Sequence, residues 1–184
     1  MNSALILIDI QNDYFSGGRM ELTGADEAGK AAGRLLADFR RHGLPVVHVQ
    51  HVSTREGAGF FLPGTEGVHF HQSVAPLEGE TVIQKGFPNS FRSTELENVL
   101  QKDGIKQLVI CGMMSHMCVS ATVRAAFDLG YQCLVAHDAC ATRSLVFDGR
   151  EIGADHVHAV SMAAMGGLFA RVMRVDEVIE RVFR

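Results

Sequence analysis

The chain has 184 residues, of which 47% are apolar, with 4 Pro and no low-complexity tract. That is enough for one domain, residues 1–184, with a sizeable core, and too apolar for disorder. A formal charge of −4 and a pI near 6.1 leave no basic patch for nucleic acid, and no apolar run approaches the roughly 18 residues of a membrane span.

The elements alternate along the chain. Ala4–Ile10 reads as a buried strand, followed by a loop rich in Asn, Asp and Gly (12–18). From Ala25 to His42, Ala28, Ala32, Leu35, Leu36 and Phe39 recur at helical spacing until Gly43. Pro45–Gln50 is a second strand. A long irregular segment, 51–79, contains Gly57, Gly59, Pro63, Gly64, Gly67 and Pro76. Loops of this length are functional or disordered, and Phe60, Phe61 and Phe70 favour a packed lid or interface. Thr81–Lys85 is the third strand. Ser93 or Thr94 is placed to cap a helix through Leu100, ended by Asp103-Gly104.

Gln107–Cys111 is the fourth strand, with a helix over about Ser115–Leu129. Gln132–Ala136 is the fifth, followed by a helix over about Gly149–Ala170. Val172–Val175 is a last strand before a helix from Asp176. Alternation of this kind predicts a three-layer α/β/α fold around a mostly parallel, six-stranded open sheet of Rossmann type.

Three chemically capable residues fall where such a sheet puts its ligands. Asp9 closes the first apolar run, Lys85 the third strand, and Cys118 follows the fourth by one turn. In a parallel sheet all three emerge at the carboxyl edge. A carboxylate, an ammonium and a thiol there make an acid/base pair beside a nucleophile. With Ser115 as cap, Cys118 takes the third helical position, where free amides and the helix dipole favour a thiolate. The bland alternatives are a small buried Cys, an Asp held by turn amides and a snorkelling Lys. All three holding at one sheet edge is the less economical reading. Gln11, Phe15, His51, Phe87, Phe91 and Ser115 are candidates for the substrate pocket.

The other cysteines, Cys111, Cys133 and Cys140, form no Cys-x-x-Cys pair with one another or with Cys118. The first two read as core, and Cys140 falls in a loop. Reduced thiols and the absence of a basic start in Met1-Asn2-Ser3 make a cytoplasmic protein the expectation.

The chain resembles the isochorismatase-like cysteine hydrolases, a superfamily that includes nicotinamidases, carbamoyl-hydrolysing amidases and isochorismatase. The resemblance rests on Leu7-Ile8-Asp9-Ile10-Gln11-Asn12-Asp13, on Leu62-Pro63-Gly64-Thr65-Glu66-Gly67 and on Lys85-Gly86-Phe87-Pro88-Asn89-Ser90-Phe91. It continues in Cys111-Gly112-Met113-Met114-Ser115-His116-Met117-Cys118-Val119 and runs through Thr122, Ala125, Ala126 and Gly130-Tyr131 to Asp138-Ala139. It implies a triad of Asp9, Lys85 and Cys118, a cis peptide before Met114, and an oxyanion hole of the Met114 and Cys118 amides. It implies hydrolysis of a small amide through a thioester, no cofactor, and a homodimer or homotetramer.

Departures from the subfamilies narrow this. Nicotinamidases of the family hold a metal through an Asp-x-His pair, whose positions are His51 and Ser53 here. His69-x-His71 offers no complete ligand set, so no metal is expected. Isochorismatase lacks the nucleophilic Cys, so Cys118 favours covalent chemistry over vinyl-ether hydrolysis. Ser115 replaces the family's usual Thr and keeps the hydroxyl. Two further alternatives remain: a non-catalytic oligomeric module and a thiol redox protein using Cys118.

Overall fold

The structure, a computed structural model, describes residues 2–184. Its centre is a six-stranded sheet of β1 (Ser3–Ile8), β2 (Val46–His51), β3 (Thr81–Lys85), β4 (Gln107–Met113), β5 (Gln132–Ala141) and a short outer strand, Arg171–Met173. The order is β3-β2-β1-β4-β5 and then the outer strand, and every pairing is parallel. All six residues of β1 are buried, as a strand covered on both faces requires. The helices are α1 (Ala25–Arg41), α2 (Leu96–Lys102), α3 (Ser120–Asp128), α4 (Ala154–Met165) and α5 (Val175–Phe183). α1 buries Ala28, Ala32, Leu35, Leu36 and Phe39, the residues its sequence periodicity singles out.

The strand order decides where a ligand sits. From β1 the chain moves outward one way to β2 and β3, and from β4 the other way to β5. Right-handed crossovers in opposite directions put their helices on opposite faces. A crevice therefore opens between the carboxyl ends of β1 and β4, the reversal point at which open α/β sheets bind ligands.

Several boundaries differ from the sequence reading. β1 stops at Ile8 because Asp9 has a left-handed backbone, with φ of 52°. β5 runs on to Ala141, and a register shift opposite Ile110 and Gly112 pairs Cys140 with Gly112. Cys140 is therefore a buried strand residue, not a loop residue. The stretch Gly149–Ala170 is not one helix. A hairpin, β6 (Leu145–Phe147) and β7 (Arg150–Ile152), precedes α4, and the outer strand, now β8, follows it. Asp148 and Gly149, both at positive φ, form the two-residue turn that an Asp-Gly pair specifies. The helix after β4 is also divided: Ser115–Val119 is a single π turn and α3 begins at Ser120. No described helix is long and apolar enough to cross a membrane.

Candidate active site

The reversal of strand order brings Asp9, Lys85 and Cys118 together. The Asp9 amide donates to the Val49 carbonyl at 3.0 Å, so the residue leaves β1 still tied to β2. Its side chain lies under the crevice, fully buried. Lys85, likewise with no exposed side-chain surface, donates from Nζ to Asp9 Oδ2 at 2.7 Å. His51 is the register partner of Lys85 across β2 and β3. Its Nδ1 stands 3.1 Å from the same ammonium. Burial, with Lys85 adding to it and Asp9 opposing, holds His51 below its ordinary pKa. The ring is therefore neutral at pH 7 and its Nδ1 accepts from Lys85.

Cys118 is the fourth residue of the π turn, which begins from Met114. The Met114 carbonyl accepts from Met117 N at 3.0 Å and from Val119 N at 3.3 Å, and the Met113–Met114 peptide is cis. The Cys118 sulfur, an Asp9 carboxylate oxygen and a His51 ring nitrogen all lie within 4.8 Å of one another. Among the described residues no hydrogen-bond partner reaches the buried Asp9 Oδ1. Gly112 makes this approach possible: it sits at φ 131°, and a Cβ there would stand 2.0 Å from the Ile8 carbonyl oxygen.

The electrostatics correct one expectation. Burial, reinforced by the Asp9 charge and only partly opposed by Lys85, pushes the Cys118 thiol well above its ordinary pKa. The helix start does not make a resting thiolate. Lys85 is penalised by burial, but Asp9 and Cys118 more than compensate and its pKa is raised. The resting site is a buried Asp⁻/Lys⁺ pair beside a neutral thiol.

A cavity of about 650 Å³ opens above the thiol. Cys118, Met114, His51 and Phe87 line it. Four other expected pocket residues do not. Gln11 is fully buried and spends its amide on the His51 and Val68 carbonyls (2.9 and 2.7 Å) and on the His51 N–H (2.8 Å). It clamps the first loop to β2 and does not line the cavity. Phe15 turns away to stack on His71 with ring centroids 3.6 Å apart. Phe91 packs on Tyr131, centroids 6.1 Å apart. Ser115 is buried outside the cavity, donating to the Ala141 carbonyl at 3.2 Å and lying 2.8 Å from His158 Nδ1. It provides no cap.

In their place the cavity wall holds Tyr14, Phe60, Phe61, Met20, Met117 and Arg143. Tyr14 meets Phe61 edge-to-face at 4.6 Å, and the Asp13 carboxylate accepts the Phe61 amide at 2.6 Å. The loop after β1 and the long segment 52–80 thus close one wall between them. In the sequence, the aromatics Phe60 and Phe61 of the long segment and the adjacency of Tyr14 to Phe15 were the signals for this wall. Arg143 lies just beyond the unforeseen extension of β5.

His69 and His71 do not converge. His69 is exposed beside Glu66, and His71 packs on Phe15. The one group of metal-ligating side chains that converges among the described residues is Asp9, His51 and Cys118. The Lys85 ammonium already stands in hydrogen-bond contact with two of them.

A family model for the isochorismatase domain matches residues 3–177. The chain belongs to the isochorismatase family. It is 51% identical over 180 residues to the isochorismatase family protein YddQ of Bacillus subtilis (strain 168), covering 98% of this chain and 100% of that one. It is 28% identical over 211 residues to the ureidoacrylate amidohydrolase RutB of Variovorax paradoxus (strain S110), covering 97% and 80%. The crystal structure of an isochorismatase hydrolase from Oleispira antarctica superposes with a TM-score of 0.94 at 52% identity, covering 97% and 96%. The protein is a hydrolase with the α/β fold of that family.

Proposed function

We propose that this family member hydrolyses the C–N bond of a small amide through a thioester on Cys118. The observation that carries the reading is the convergence of thiol and carboxylate within 4.8 Å, with the carboxylate held by a buried ammonium at 2.7 Å.

The protonation states dictate the order of events. Because the thiol rests neutral, its proton passes to Asp9 as the sulfur attacks the carbonyl carbon, and Oδ1, which no described group holds, is free to take it. Lys85 holds the carboxylate in place until then through its 2.7 Å contact to Oδ2. The carbonyl π electrons move to oxygen, where the Met114 and Cys118 amides receive the charge; loss of one such donor typically costs about 10²–10³ in rate. Collapse breaks the C–N bond, and Asp9 returns its proton to the departing nitrogen. Water, deprotonated by Asp9, then opens the thioester and releases the acid and the thiol. Proton and electron pairs balance over the cycle with no cofactor consumed.

Intact-protein mass spectrometry during turnover of an amide panel tests this. The expected result is an acyl adduct on Cys118, absent in Cys118→Ala, with release of ammonia or amine. Turnover retained by Cys118→Ala, or no adduct and no release across a broad panel, would overturn it.

A further inference from the structure

The charge inventory of the cavity points to the substrate's other end. Two guanidiniums line it, Arg55 and Arg143, and no carboxylate does. The chain as a whole is acidic, so the local sign runs against the global one. Among the described residues neither arginine is ion-paired, a state they share with several arginines outside the cavity, so both charges are available to a ligand. The side-chain partner of Arg143 is the Met20 sulfur, 3.7 Å from Nη1, and a thioether is a weak acceptor. The catalytic charges below do not offset the two arginines: Asp9 is matched by Lys85, while His51 and the thiol are neutral.

Tyr14 shares the cavity with these arginines and the thiol. It is 2% exposed, lines the cavity, and its hydroxyl makes no hydrogen bond to another described residue. Burial, Asp9 and Cys118 push its pKa well above the phenol range, with the Arg143 charge acting in the opposite sense. It is therefore a proton donor at neutral pH, within the field of both the thiol and Arg143. A cavity-lining phenol that spends its proton on no protein acceptor is free to donate to a ligand, and Arg forks suit carboxylates.

We propose that the substrate is an amide bearing a carboxylate or similar anion at its far end, with Arg143 and Arg55 binding the anion and the Tyr14 hydroxyl donating to the same end. This deepens the hydrolase reading and rests on it only for placing the scissile carbonyl at Cys118. Specificity then comes from the cavity mouth, while the triad below it is indifferent to charge.

Two measurements test the proposal. The first compares alkylation of Cys118 by iodoacetate and by iodoacetamide, reagents of one size and different charge. The ratio of iodoacetate to iodoacetamide rates is expected to fall about tenfold in Arg55→Gln/Arg143→Gln, and to shrink with added salt as exposed charges are screened. Arg150→Gln, a charge removed outside the cavity, leaves the ratio in place. A ratio unchanged in the double variant would overturn the proposal.

The second is calorimetric titration of Cys118→Ala protein with succinamate and with its uncharged counterpart butyramide. Succinamate is expected to bind about tenfold more tightly, with the difference abolished in the added double variant. Equal binding of the two, or no binding of succinamate, refutes the anion site. If Cys118 resists both reagents while succinamate is still preferred, the thiol chemistry fails and the anion site stands.

Discussion

Replacing Asp9 by Asn should make the nucleophile more ionised and the enzyme less active. The Asp9 carboxylate lies within 4.8 Å of the Cys118 sulfur and raises the thiol pKa, against the pull of Lys85. Two unit charges at that separation interact by about 3.5 kcal/mol at an effective dielectric near 20. Removing one of them, at 1.4 kcal/mol per factor of ten, enlarges the thiolate population on the order of 10²-fold. The change also frees the Lys85 ammonium to face the sulfur. Alkylation by iodoacetamide at pH 7, followed by mass spectrometry, should therefore be much faster in Asp9→Asn than in wild type. Hydrolytic turnover should disappear, because no base remains to carry the proton to the leaving nitrogen or to activate water. Lys85→Met should have the opposite effect on alkylation, since it leaves the carboxylate as the only charge beside the sulfur. The reasoning is refuted if Asp9→Asn alkylates no faster than wild type, or if it keeps appreciable turnover.

Other expectations concern stability and pH. Lys85→Met strands a carboxylate in a site with no exposed side-chain surface, and breaking such a pair costs about 3–5 kcal/mol. For a chain of this length that lowers the thermal midpoint on the order of 10 °C. The Asp9→Asn/Lys85→Met double variant should recover most of the loss, and strict additivity of the single effects would count against a coupled pair. Gly112→Ala drives a Cβ to 2.0 Å from the Ile8 carbonyl oxygen at φ 131°; a loss beyond about 3 kcal/mol in denaturant melts is expected, because backbone and not a flexible side chain must yield.

Acid stability should trace to Glu80, which accepts two bonds from Arg40 at 2.7 Å and one contact from His48 at 2.9 Å. The Arg40 hydrogen bonds lead in lowering its pKa to about 2. A depressed carboxylate contributes stability that is full above its unfolded pKa of about 4.3 and is lost as pH falls toward 2. Glu80→Gln should flatten the wild-type decline over that window, and an unaltered acid limb would exclude Glu80 as its source.

The division between what was readable in the chain and what was not follows the physics of each feature. Strand cores were readable because full burial on both faces of a parallel sheet demands continuous apolar runs, such as Ala4–Ile8, and these need no partner to be recognised. α1 was readable because one buried stripe imposes a 3.6-residue period on Ala28, Ala32, Leu35, Leu36 and Phe39. The placement of Asp9, Lys85 and Cys118 at one edge followed from strand ends alone, since parallel strands share a carboxyl edge. The Asp148-Gly149 pair is a local hairpin signal, but its flanking strands are only three residues each and carry too little period to announce themselves.

The pocket wall was different. Whether Tyr14 or Phe15 faces the substrate depends on how the turn after Ile10 is tied down, and Gln11 does so through atoms of His51 and Val68, 40 and 57 positions away. Arg143 reaches the cavity because β5 continues to Ala141 after a shift in register with β4. The neutrality of the resting thiol arises from burial, which exists only once loops from four parts of the chain have closed over it. Local pattern determined the scaffold and the edge where chemistry occurs, because period and burial act over a few neighbouring residues. Tertiary structure decided the cavity lining and the protonation state of Cys118, because both depend on groups brought near by packing rather than by sequence.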